Sequence, residues 1–344
     1  MDRDSLTARQ CYFLHTLFLL GNLVTAAGAK GTQAGWLLFL LLGCLSVPVF
    51  TLFHSVARDM SAAVAFSNTL GRIPGGLLTA LYCVLAVLMA GDAVRLFADF
   101  IVINDLNDAG AWGNTALLIL AVLLMLLCSL RSLGKVAWAV FPAVVFFLLL
   151  SVAVTVKQLE FPRLLPLFAE GGQILLRSGF SSFTTMLISF FSIAVLGSGE
   201  SREKRRAVCA AGVTACLLLA VLTFRDAAVL GFPTVGLFRF PMFAAAAVTR
   251  HSQILISAVF VLVQPFRAAI CLRYAQVCLE HWMPRLKTWY PPLLLGLAAL
   301  SGSLSWSSEQ VRWRTAGELG VTALLLSGPL AVLLVKRIKA GKQA

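Results

Sequence analysis

Two small groups of polar residues sit inside long apolar stretches, and their spacing suits a ligand site buried in a membrane. The first is Gly21-Asn22, followed by Thr25 and Gly28. The second is Ser178-Gly179, followed by Ser181, Ser182, Thr184 and Thr185. Glycine, hydroxyl and amide residues at mid-helix can interrupt the backbone ladder. The freed peptide groups then coordinate a zwitterion or a cation, and half-helix N-termini favour a carboxylate. The competing reading is that small residues only let helices pack closely.

A third group is ionic. Asp92 and Arg95 lie three residues apart on one helical face and can pair with each other. Arg267 stands near the middle of its apolar stretch, beside Gln264 and Pro265. A lone charge in lipid is costly, so Arg267 needs a partner, and Asp92 and Glu170 are the acids nearest in expected depth. Gating, substrate access or coupling are the roles such residues take; an interfacial pair at the outer end is the plainer reading of Asp92 with Arg95. Tyr82 and Ser257 are candidate hydroxyl ligands whose alternative is ordinary packing. His15 and His54 stand alone on apolar segments and read as hydrogen-bonded core residues.

The elements that must hold these residues are ten apolar stretches, at about 9–28, 35–56, 74–98, 115–130, 135–156, 174–197, 206–224, 252–274, 291–306 and 316–336. Roughly 20 apolar residues rising about 1.5 Å each match a hydrocarbon core of about 30 Å. In that medium the backbone must satisfy its own hydrogen bonds, so the stretches are expected to be helices. With 59% of residues hydrophobic and 12% charged, they leave no room for a soluble domain. The expected fold is an all-α polytopic membrane protein with ten transmembrane helices, in one domain over 1–344. The first stretch lacks a small-residue cleavage site and continues as a full span, so the chain is expected to stay in its membrane.

The net charge of +13 would indicate nucleic acid in a soluble protein. Here the basic residues cluster between the apolar stretches, as in Arg202, Lys204, Arg205 and Arg206, or Lys336, Arg337 and Lys339. Placing the N-terminus inside puts the larger share of Lys and Arg in inner loops facing anionic lipid, which predicts both termini in the cytoplasm and no nucleic-acid partner. Arg225, Arg239 and Arg250 then count as outer residues.

Two outer connections are long. Segment 157–173 is broken by Pro162 and Pro166 and is expected along the outer surface. Segment 226–251 contains Phe232-Pro233-Thr234 and an apolar run from Met242 to Val248, too short to cross; it reads as a re-entrant or surface helix outside. A five-plus-five inverted repeat follows, with a first repeat at about 9–156, the outer segment 157–173, and a second repeat at about 174–336. Spans one and six become counterparts, and both carry the polar interruptions. Paired interrupted helices are the best sequence pointer to a transporter site.

The eight cysteines form no CxxC pair and no cluster with metal-ligand spacing, so they read as small buried hydrophobes, with no metal or cofactor expected. No P-loop, HExxH or Ser/His/Asp set is present, and an enzyme is not expected.

Several local patterns, in shared order, resemble the spore germination permease family, the B subunit of germinant receptors in endospore-forming Firmicutes. Leu6-Thr7-Ala8-Arg9-Gln10 leads into span one as in that family. Ala34-Gly35-Trp36 is similar to its "DAW" entry to span two, and Leu70-Gly71-Arg72 with Gly75-Gly76 to its "LGK…G" start of span three. Arg95-Leu96-Phe97 with Phe100-Ile101 resembles "R-x-F-x-E-F-I". Leu164-Leu165-Pro166 with Gly171-Gly172 resembles "LLP…G", Phe232-Pro233-Thr234-Val235 "YPT-V", and Pro265-Phe266-Arg267 "F-I-K". The chain departs from the pattern at Gln33-Ala34, at Arg250-His251-Ser252, and at Asp99, where glutamate is usual, so the ligand is left open. The resemblance implies a fold like the amino acid/polyamine/organocation transporters, with spans one and six unwound. It also implies recognition of a small nutrient, typically an amino acid, among spans one, three, six and eight. It further implies assembly with an A subunit and a lipoprotein C subunit in the inner membrane of the spore. Carried over, Gly21 and Asn22 become backbone and side-chain contacts, Ser181 to Thr185 the span-six contacts, and Tyr82 and Ser257 further contacts. An active secondary transporter of the same fold, and a structural subunit without a ligand, are the alternatives.

Overall fold

The computed structural model describes residues 6–24, 34–57, 62–103, 110–165, 171–196, 202–231, 234–238, 240–249, 252–283, 289–304 and 311–341. Among the described residues the chain is helical, without a strand. The first half holds α1 (Ala8–Leu23), α2 (Gly35–Ala57), α3 (Ala62–Leu70), α4 (Arg72–Ile103), α5 (Gly110–Leu127) and α6 (Leu130–Thr155). The second half holds α7 (Gly172–Leu187), α8 (Ser189–Leu196), α9 (Arg202–Leu230), α10 (Thr234–Leu237), α11 (Pro241–Ala247), α12 (Gln253–Trp282), α13 (Tyr290–Leu304) and α14 (Val311–Gly341).

Among the described residues, seven helical segments are long and apolar enough to cross a membrane: α2, α4, α6, α7 with α8, α9, α12 and α14. The other three predicted stretches are helical but shorter: α1, with 16 residues, and the apolar segments Thr115–Leu127 and Tyr290–Ala299 of α5 and α13. The protein is an integral membrane protein. Its outward faces carry Leu77, Leu81 and Val84 on α4, and Trp138 and Phe146 on α6. Water would not tolerate so broad an apolar surface, whereas acyl chains do.

Local sequence explains where these helices start. Thr7 caps α1: Gln10 N–H donates to Thr7 Oγ1 at 3.3 Å, and Thr7 N–H donates to Gln10 Oε1 at 3.1 Å. Ser129 caps α6 in the same way, accepting from Ser132 N–H at 3.2 Å. Between α3 and α4, Gly71 adopts φ of +98°, a conformation that glycine takes without steric cost.

The helices are not equally buried. In the apolar windows of α7–α8 and α12, 72% of residues are buried, against 22% in α6 and 28% in α14. Leu14 to Leu23 of α1 are all buried as well. So α1, α7, α8 and α12 form the centre, and the mid-helix polar residues of the sequence lie in it. Small residues allow tight contact elsewhere: a Cβ on Gly212 of α9 would fall 2.4 Å from Phe50 of α2.

The C-terminal ends of α4, α6 and α9 and the N-terminal half of α12 meet at one side of the bundle, around α11. Phe100 of α4 stacks on Phe260 of α12 with centroids 4.2 Å apart, and Phe243 of α11 meets Phe100 edge-on at 5.6 Å. Met242, Ala245 and Ala246 of α11 are buried, so this seven-residue helix docks into the bundle rather than crossing it. Segment 157–165 lies on the same side as two short 3₁₀ turns, with Glu160 N–H donating to Ala228 O at 3.1 Å. Pro166 and residues 232–233, 239 and 250–251 lie outside the described residues.

Arg225 is not an outer loop residue: α9 runs on to Leu230, and Arg225 is only 1% exposed. Its Nε donates to Asp226 Oδ1 at 2.9 Å, its Nη1 to Ser151 Oγ of α6 at 2.9 Å, and its Nη2 to Met242 O at 2.9 Å. The neighbouring carboxylate and those acceptors let the charge stay buried, so the helix runs on past the end of the apolar stretch at 224. Arg225→Met is expected to destabilise the protein by about 3–5 kcal/mol, because Asp226 is then buried without its counter-ion. Denaturant unfolding in detergent checks this, and adding Asp226→Leu is expected to recover most of the loss.

Candidate functional site

The site lies at the last described turn of α1, which runs to Leu23 with Val24 N–H donating to Leu20 O at 2.9 Å. Gly21 O is the next carbonyl in line. Gln264 of α12 donates its Nε2–H to it at 3.1 Å. The approach is possible because position 21 has no side chain. A Cβ there would lie 3.0 Å from Val263 O and 3.1 Å from Arg267 Cβ. Gln264 was legible only as a neighbour of Arg267; its partner comes from a helix far away in sequence.

Arg267 is 3% exposed, and its Nη2 reaches Asp92 Oδ2 of α4 at 2.5 Å. Of the two acids expected within reach, Asp92 is the partner, and Glu170 lies outside the described residues. The Asp92 side chain is 47% exposed, so one face of this ion pair is open while the other is closed over by α1 and α12. The expected pairing of Asp92 with Arg95 does not form. Arg95 Nε lies 3.5 Å from Asp99 instead, four residues on, while Asp92 is taken by Arg267.

Asn22 is wholly buried and its Nδ2 donates back to Phe18 O at 2.9 Å. Thr25, the next sequence-predicted residue, lies outside the described residues. Six residues before Gly21, about 9 Å along the helix, His15 Nδ1 meets Ser192 Oγ of α8 at 2.8 Å, which joins α1 to the second half of span six.

Span six is interrupted, but not where its polar residues lie. α7 continues through Ser178 to Thr185 and ends at Leu187; α8 starts at Ser189. Ile188 between them keeps helical angles (φ −58°, ψ −21°), and Phe191 N–H donates to Ile188 O at 3.1 Å, a 3₁₀ spacing. The break is one tightened turn, carrying neither glycine nor proline to announce it.

The polar residues of α7 divide between two faces. Ser181 Oγ donates to Glu318 Oε1 at 3.0 Å and Thr184 Oγ1 meets Thr322 Oγ1 at 2.7 Å, so both face α14. Thr185 donates to Ser181 O at 2.9 Å. Ser178 and Ser182 share the next face, and their hydroxyls, with those of Ser189 and with His15 Nε2 and Gln264 Oε1, find no hydrogen-bond partner among the described residues. Buried polar atoms without protein partners ask for water or a ligand.

Two expected ligands are otherwise engaged. Tyr82 OH donates to Leu324 O of α14 at 2.6 Å, and Gly328 leaves the room for it; its ring packs on Phe66 and Phe190. Ser257 Oγ donates to Gln253 O of its own helix at 3.0 Å.

Residues 5–277 match the family of spore germination proteins. The chain belongs to that family. No curated protein sequence matches it. Among 24 matching solved chains, the crystal structure of MhsT in complex with L-phenylalanine aligns with a TM-score of 0.65 at 15% identity, over 96% of this chain and 89% of that one. At that identity the likeness is one of fold, the LeuT fold. In this germination protein, then, the contact of α1 with α12 and the broken α7–α8 pair belong to one architecture across nearly the whole chain.

Gly21→Ala is expected to destabilise the protein by about 1–3 kcal/mol, since α1 and α12 must separate to admit the methyl group. Gly76→Ala, where a Cβ meets nothing within 4 Å, is the control and is expected to leave the unfolding midpoint unchanged or raised.

Proposed function

We propose that this chain is the nutrient-sensing subunit of a spore germinant receptor, holding an amino acid between α1, α4, α7–α8 and α12. The observation that carries the reading is the open Asp92–Arg267 pair beside the closed contact of Gly21 with Gln264. A zwitterion needs an anion and a cation a few ångströms apart, and buried hydroxyls or amides to fix its orientation. Asn22, Ser182, Ser189 and Gln264 are the groups of that second kind in this reading. Ser181, Thr184, Thr185, Tyr82 and Ser257 support the surrounding helices, and Asp92, Arg95 and Arg267 couple the site to the rest of the chain.

In this reading the bundle has ten crossings in a five-plus-five inverted repeat, in one domain. Both termini are cytoplasmic, the membrane is the inner membrane of the spore, and the partners are an A subunit and a lipoprotein C subunit. The chain catalyses no reaction and takes no cofactor. The signal is a population shift: a nutrient that binds one conformation better biases the complex toward it. Membership of the spore germination protein family supports the germination role. The fold shared with MhsT, whose crystal structure holds L-phenylalanine, supports an amino acid as ligand and also favours the second reading, a secondary amino acid transporter.

Asn22→Ala, Ser182→Ala and Asp92→Asn are each expected to raise the nutrient concentration for half-maximal germination at least tenfold, about 1.4 kcal/mol of lost binding. Spores carrying the variant receptor and a panel of L-amino acids measure this, with a non-nutrient trigger as the reference. Accumulation of a labelled amino acid by vesicles holding the purified chain would establish the transporter instead. An unchanged nutrient response in a variant lacking all three side chains would leave a subunit with no ligand of its own.

A further inference from the structure

The helices α1, α6 and α9 begin at the same end of the bundle and enclose a shallow groove there. Tyr12 of α1 lies in it: its OH donates to Thr214 Oγ1 of α9 at 2.9 Å, and its ring meets Phe141 of α6 edge-on at 5.8 Å. Phe13 packs on the same Phe141 with centroids 5.0 Å apart. Gly134 lets α6 close on the start of α1, since a Cβ there would fall 2.8 Å from Leu6 and 2.9 Å from Gln10.

From the level of Tyr12 toward the helix starts, cations line this groove. Arg9 lies one turn before Tyr12 and Phe13, on the face between them, about 5 Å nearer the end. Arg206 stands in line with Ala210 and Thr214, about 12 Å nearer. On α6, Lys135 and Arg131 continue the stripe of Trp138, one and two turns on. All four cations are exposed, and so is Trp138. Glu203 is the one acid in the first turns of the three helices. In the other direction the walls become apolar and stay exposed, with Leu217 and Val221 on α9 and Leu149 on α6.

We infer that this groove holds one anionic phospholipid, its phosphodiester among Arg9, Lys135 and Arg206 and its acyl chains along Leu149, Leu217 and Val221. Charge and polarity are complementary along the whole length of such a molecule. A soluble anion or an acidic peptide would answer the cations and leave the apolar walls uncovered. An exposed tryptophan with basic side chains one and two turns beyond it marks the depth at which headgroups lie, and the apolar stems of Lys and Arg let their charges reach that layer. A general excess of Lys and Arg only orients a membrane protein. Here cations from three helices converge on one groove, which makes a site that saturates. The lipid would tie together α1, α6 and α9 at the end of α1 remote from Gly21, whatever the ligand of the candidate site.

The purified full-length chain in an uncharged detergent is unfolded thermally while phosphatidylglycerol, phosphatidylcholine or inorganic phosphate is titrated in. The midpoint is expected to rise saturably with phosphatidylglycerol and to stay unchanged with the other two. An equal rise with phosphatidylcholine or phosphate overturns the inference, as does a rise given by soluble polyglutamate and not by the lipid. Arg9→Gln with Arg206→Gln is expected to raise the half-saturating phosphatidylglycerol about fivefold or more, with the lipid-free midpoint unchanged. Arg72→Gln with Arg337→Gln removes the same charge from exposed positions on α4 and α14 and is expected to leave the titration as it was. An equal loss in both pairs is a general charge effect and overturns the groove. If the first pair does not fold, Lys135→Gln at the rim replaces it, and an unchanged titration there overturns the site. No nutrient enters the measurement, so its outcome is independent of whether germination responds to substitutions at Asn22 or Ser182.

Discussion

The close contact of α1 with α12 is the constraint around which this molecule is arranged. It joins a residue without a side chain at position 21, a donor on α12 to the Gly21 carbonyl, and a counter-ion for the guanidinium on the same stretch of α12. Gly21, Gln264 and Asp92 supply those three parts from three different helices. Remove any one and the contact is left with an overlap, one hydrogen bond fewer or an uncompensated buried charge.

A second buried cation, Arg225, organises the opposite problem at the side of the bundle where α11 docks. It bonds to α6, to its own neighbour Asp226 and to the backbone of α11. One guanidinium with donors in several directions can hold three segments at once, which a lysine could not. The stacked rings of Phe100 and Phe260 and the edge contact of Phe243 close the same region with apolar area. The two arginines therefore do different work. Arg267 keeps one face of its acid open, whereas the pair made by Arg225 is sealed.

The polar residues of α7 show how a helix divides its duties. Ser181 and Thr184 bond to Glu318 and Thr322 of α14, while the hydroxyls of Ser178 and Ser182, about 60° and 100° round from Ser181 at about 100° per residue, find no partner among the described residues. A turn later the helix tightens at Ile188 and α8 begins, tied to α1 by His15 and Ser192. The residues that bind neighbours and those that remain available are thus interleaved on one element.

By itself the sequence determined the membrane character, the positions of the helices and the family. Apolar length, turn residues and the Thr7–Gln10 cap are local signals, and lipid leaves the backbone no choice but helix. It also marked Gly21, Asn22 and Arg267 as costly or permissive residues at depth, because a charge or a glycine there needs a reason. What only the tertiary structure decided is partnership. Asp92 could have paired with Arg95 three residues away, yet takes Arg267 from the second half of the chain. Arg225 looked like a loop residue until α6 and α11 supplied its acceptors. Gln264 stood out only as the neighbour of Arg267, since its partner is a backbone carbonyl, and a carbonyl is the same at every position of a sequence.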